Sequence, residues 1–122
     1  MTKTEIIHET VEFYKNNPRS LNEEGKCVFL GPNGEKCAFS RCLKEMDFST
    51  WGQENAYVLL NEGSVEKDDF EDGYWHEDKQ FWLDLQIFHD KDEFWVKKGS
   101  GNILTRGGEI GFKRLLREYE NE

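Results

Sequence analysis

A chain of 122 residues that is 14% aromatic and 34% charged, with only two prolines, suits one domain spanning residues 1–122. Such a domain can bury a core without disulfides or structural metal, and the composition is not that of a disordered tail. A net charge of −9 argues against nucleic-acid phosphates and anionic membranes as direct partners, since both reward clustered Lys and Arg. No apolar run approaches the roughly 20 residues of a membrane span and no apolar leader follows Met1, so a cytoplasmic setting without membrane contact is expected.

Residues 4–16 predict a first helix. Thr2 and Glu5 fit a capping box, Ile7, Val11 and Tyr14 share a stripe with Ile6 and Phe13 beside it, and Pro18 closes the element. Residues 26–30 and 35–39 then flank Gly31-Pro32-Asn33-Gly34. Pro second and Asn third in a four-residue turn, with Gly34 free to take positive φ, predict an antiparallel β-hairpin with Cys27, Phe29, Cys37 and Phe39 on one side. Two strands alone are marginal, so the ribbon must lean on helices or gain further strands. Ser40 can cap a short helix over 41–46 that brings Cys42 and Leu43 to the same core.

Residues 47–55 read as a loop containing Trp51. The apolar run 56–60 is short enough for strand or helix, and Thr50 and Gln53 offer cap chemistry that favours helix. Residues 63–73 form an acidic connection, exposed apart from Val65 and Phe70. The architecture is expected to centre on residues 75–90, where Phe81, Leu85 and Phe88 share a helical stripe flanked by Trp82 and His89. Leu83 and Ile87 point the other way, so this helix should be covered on more than one side. Phe94-Trp95-Val96 continues the apolar pattern and residues 97–102 break it. A last helix over 106–120, capped by Thr105, displays Ile110, Phe112, Leu115, Leu116 and Tyr119. Its Gly107, Gly108 and Gly111 imply close packing or fraying. The fold class is therefore α+β, mostly helical, with a small antiparallel hairpin packed on the helices.

The charge is unevenly placed. Residues 62–93 hold twelve acids against Lys67, Lys79 and Lys91, which accounts for the whole −9. The expected contacts for a protein with a basic surface are Asp68, Asp69, Glu71, Asp72, Glu77 and Asp78, with Tyr74 or Trp75 as aromatic anchor. Alternatively, the basic face of the last helix (Lys113, Arg114, Arg117) answers this segment within the molecule.

Cysteine chemistry is the competing reading. Cys27, Cys37 and Cys42 with His8, His76 or His89 can supply four zinc ligands, but the chain has no Cys-x-x-Cys spacing, and reduced core thiols are the simpler account. Cys42 near a helix start is the best candidate nucleophile. His89-Asp90 can pair an imidazole with an orienting carboxylate. Neither a metal nor a cofactor is called for.

The stretches G-K-C-V-F (25–29), G-E-K-C-A-F (34–39) and F-W-L-D-L-Q-I-F-H-D (81–90) resemble small uncharacterised proteins of bacteria and their phages, which share a G-x-C-x-(F/Y)…G-x-x-C-A segment and an F-W-x-D-L-Q-x-x-H-D helix. The resemblance covers most of the chain from about Ser20, departs most in the acidic linker, and implies a bacterial or phage setting without supplying an activity or catalytic residue. The expected function is a non-enzymatic protein-binding module, such as a phage-linked inhibitor or accessory of a host defence or nucleic-acid enzyme. The alternative is a small cysteine- or metal-dependent enzyme or ligand-binding protein.

Overall fold

In the computed structural model, which describes residues 1–52 and 54–121, the first helix α1 spans Lys3–Asn16 and begins with the capping box of Thr2 and Glu5. Three further helices follow, α2 (Ala56–Asn61), α3 (Lys79–Asp90) and α4 (Arg106–Tyr119), together with a two-stranded antiparallel sheet of β1 (Trp95–Lys98) and β2 (Gly101–Leu104). The architecture is α+β and mostly helical. One apolar cluster joins Ile6, Ile7 and Tyr14 of α1, Phe29, Phe39 and Trp51 of the loops, Phe81, Trp82 and Leu85 of α3, and Leu115 and Tyr119 of α4.

The helix α3 starts four residues later than its apolar pattern, at Lys79, because Asp78 accepts from the amides of Gln80 and Phe81 and so fixes the first turn. Its stripe is buried as expected: Phe81, Trp82, Leu85 and His89 have no exposure and Phe88 has 4%. The opposite face is not covered. Ile87 is 43% exposed and Leu83 only half-buried, beside the flank along which α2 packs.

The expected hairpin over 26–39 is not a ribbon. Its turn forms, with Gly34 at φ +86° and Gly31 and Glu35 bonded across it, but among the described residues the flanking stretches meet in the single bridge Leu30–Lys36, while Cys27 pairs with Leu21 instead. Hydroxyl groups take the carbonyls that a ladder needs. Ser20 Oγ donates to Val28 and Glu35, Ser40 Oγ to Phe29, and Tyr14 Oη to Lys36. The hairpin instead forms at 95–104, around Gly99-Ser100 with Gly99 at φ +62°. Gly-Ser between two strands is itself a hairpin signal. The side chain of Asn102 donates to the Tyr14 and Asn17 carbonyls at 3.0 Å, closing the end of α1. A Cβ at Gly101 would overlap the Lys15 carbonyl, so β2 can lie this close to α1 only with glycine.

The other short elements follow the same logic. Ser40 is the first residue of a 3-10 turn, Ser40–Cys42, rather than the cap of a helix over 41–46. Its hydroxyl is already engaged by Phe29 and Cys37. The run 56–60 is helical and capped by Asn55, whose carboxamide accepts from Val58. Gln53, expected to contribute there, lies outside the described residues. In α4 the glycines mark close packing, with the Phe94 ring 2.7 Å from where a Gly111 Cβ would stand. No helix of the described residues is long and apolar enough to cross a membrane.

Candidate functional site

The residues expected to meet a partner divide into two groups. Asp68, Glu71, Asp72 and Glu77 are exposed. The rest are engaged by the fold. Asp69 accepts from the Glu66 amide at 2.8 Å, and Asp78 both caps α3 and pairs with Lys3 at 3.0 Å. Burial alone would raise the Asp78 pKa, but the Lys3 ammonium and the Phe81 and Gln80 amides outweigh it and hold the carboxyl below the usual range. Tyr74 donates to Glu9 at 3.1 Å, beside the Arg41 guanidinium, and Trp75 lies edge-on to Phe70 at 5.1 Å. Both aromatic candidates are therefore half-buried parts of the fold.

Within residues 62–93, only Asp78 and Asp92 form ion pairs among the described residues, with Lys3 and Arg19, while Asp90 is hydrogen-bonded to the His89 ring. Lys113, Arg114 and Arg117 are exposed and pair with no acid among the described residues. The basic face of α4 thus does not neutralise the acidic segment through direct contact, and the negative field faces outward.

Among the described residues the three cysteines share no common ligand cluster, and none forms a disulfide. Cys42 is fully buried at the end of its 3-10 turn, with Sγ directed at the Ala38 carbonyl, and burial pushes its thiol up to about 12. This removes it as a nucleophile, because the thiolate is the reactive form. Cys37 is equally buried and bonded to Ser40.

What the fold does assemble is Cys27, His89 and Asp90, whose sulfur, ring nitrogen and carboxylate lie within 4.8 Å of one another. Cys27 and Asp90 reach a hollow of about 430 Å³ beside α3. The Cys27 thiol lies 3.7 Å from the Asp90 carbonyl and 3.5 Å from Arg19 Nη2, and burial, with the Asp90 charge, pushes it up to about 12. Both nitrogens of His89 have partners. Nδ1 lies 2.7 Å from the Asp90 carboxylate and Nε2 accepts from the Ser20 amide at 3.5 Å. Burial lowers the His89 pKa and keeps the ring neutral. The arrangement is an internally satisfied polar network in which both His89 nitrogens are already engaged by groups other than the thiol. The pairing of His89 with Asp90 was legible in the sequence. The approach of Cys27 was not, because it joins residues 62 positions apart with no local signature. Comparison with protein-family models, with curated proteins and with solved structures finds no match for this chain.

Proposed function

We propose that this protein is a non-enzymatic binding module that engages a basic surface on another protein in a bacterial cytoplasm, as a phage-linked inhibitor or accessory of a host defence or nucleic-acid enzyme. The phage or bacterial setting rests on the cysteine and F-W-x-D-L-Q motifs. The binding reading rests on one observation: the acids of residues 62–93 stay largely without cationic partners in the fold. A surface of this kind speeds encounter with a basic protein and repels phosphate backbones. The test is capture from bacterial lysate by wild type and by the Asp68→Lys/Asp72→Lys variant, at low and high salt. Capture that weakens and loses its salt dependence in the variant supports the reading; capture identical in both proteins counts against this surface.

The proximity of Cys27, His89 and Asp90 favours one second reading, a small cysteine- or metal-dependent protein. Metal analysis of the purified protein together with native thiol labelling separates the two. Stoichiometric zinc or rapid labelling of Cys27 would shift the balance to chemistry.

A further inference from the structure

We propose that an acid-rimmed apolar groove along the Leu83–Ile87 flank of α3 receives a cationic peptide segment of the partner, one carrying Lys or Arg together with large aliphatic or aromatic anchors. This rests on the binding-module reading and places the apolar half of the contact away from Asp68–Asp72. Three hollows of about 430, 320 and 420 Å³ adjoin one another, the first two sharing Val28, Phe29 and Gly52 and the last two sharing Met46 and Asp47. Together they form a trough that runs from α3 across the 26–30 stretch to α2. Its apolar wall is Val28, Phe29, Leu30, Met46, Leu83 and Ile87. Leu30 at 48% and Ile87 at 43% are among the most exposed large apolar side chains of the chain. Exposed apolar surface gathered along a concavity marks a recognition site more often than the same residues scattered singly.

Charge identifies the occupant. The charged residues lining the three hollows are Asp47, Glu54, Glu62 and Asp90, and no Lys or Arg lines them among the described residues. The nearby Lys36 ammonium, 5.6 Å from the Phe48 ring centre, is paired with Glu45. A groove with an apolar floor and carboxylates alone along its rim rejects anions and acidic peptides, and it favours side chains that bury an aliphatic stem while presenting a cation at the edge.

The test is selection of random displayed peptides against three proteins: wild type, the Leu30→Ser/Ile87→Ser variant and the Asp68→Lys/Asp72→Lys variant. Both groove substitutions fall on exposed side chains, and circular dichroism checks that the fold is kept. Wild type is expected to enrich peptides that combine Lys or Arg with Leu, Ile or Phe. Binding of these peptides should fall about tenfold in the groove variant and largely persist in the charge-reversed one. Cationic peptides that bind the groove variant undiminished but fail on the charge-reversed protein would overturn the groove and leave the basic-partner reading standing. Enrichment of uncharged apolar peptides, or a concentration-dependent dimer of this chain that closes the trough, would overturn the groove's assignment to a cationic segment. No enrichment of cationic peptides on wild type would overturn the groove, while the module reading stands or falls separately on the salt-dependent capture test.

Discussion

Residues 26–39 and 95–104 both carry a glycine-bearing turn between apolar stretches, yet only the second becomes a ladder. In 95–104 the strands pair in register from Trp95–Leu104 to Lys98–Gly101. In 26–39 the backbone carbonyls are taken by hydroxyls from Tyr14, Ser20 and Ser40. A buried carbonyl needs a donor, not a particular donor. Where side-chain hydroxyls arrive first, a turn of hairpin type closes a loop instead of a sheet.

The largest test of this contrast sets one glycine against another. Gly101→Ala drives a methyl into the Lys15 carbonyl, a backbone atom that cannot rotate away, and should cost about 3 kcal/mol or more in chemical denaturation. Gly34→Ala meets nothing within 4 Å and suffers only its φ of +86°, about 1 kcal/mol. Similar losses at the two sites would mean that the two turns are held alike.

Next comes Ser40→Ala. It strips the donor from the Phe29 carbonyl at 2.6 Å and the acceptor from the Cys37 amide at 3.0 Å, both buried, and should cost about 2 kcal/mol. Amide exchange should quicken across 26–39 and stay slow in β1 and β2. Uniform quickening would show that the loop and the ladder open as one unit.

A smaller effect is expected with pH. Burial lowers the His89 pKa below its ordinary value of 6.5. The unfolded chain therefore binds this proton first, and the stability contributed by the neutral ring is present above about pH 6.5 and lost as pH falls towards the folded value. Because Nε2 accepts from the Ser20 amide, mild acid should loosen 26–39 ahead of the ladder. Melting curves from pH 7 to 5 should show the decline in wild type and a flatter line in His89→Asn. Equal slopes would remove His89 from the account.

The least change is expected from Val96→Thr, on the outward face of the sheet where Val96 is 50% exposed, about 0.5 kcal/mol or less. A larger loss would mean that this face is covered.

Local rules recovered the four α-helices, with the Thr2–Glu5 box, the Asp78–Asp90 stretch with its buried stripe and the Thr105 cap all formed within a few residues, but not the helix expected over 41–46, which is only the turn Ser40–Cys42. What escaped depends on separation. Ser20 reaches Glu35 across 15 positions, Tyr14 reaches Lys36 across 22, and Arg19 meets the His89 carbonyl across 70. No periodicity records such meetings, so the sequence predicted a ribbon at 26–39. The same holds for the candidate site. The acids of 66–77 could be read directly, whereas the half-burial of Tyr74 and Trp75 and the groove beside Ile87 depend on which stretches pack together.

Trp51 is 5% exposed, lies edge-on to Phe29 at 4.9 Å and to Phe48 at 5.0 Å, and forms part of the trough's α2 end. The molecule therefore carries its own optical gauge beneath that surface. An indole wedged between two rings changes emission when either is displaced, so a Trp51→Phe protein subtracted from wild type would isolate the fluorescence of this one position during a titration.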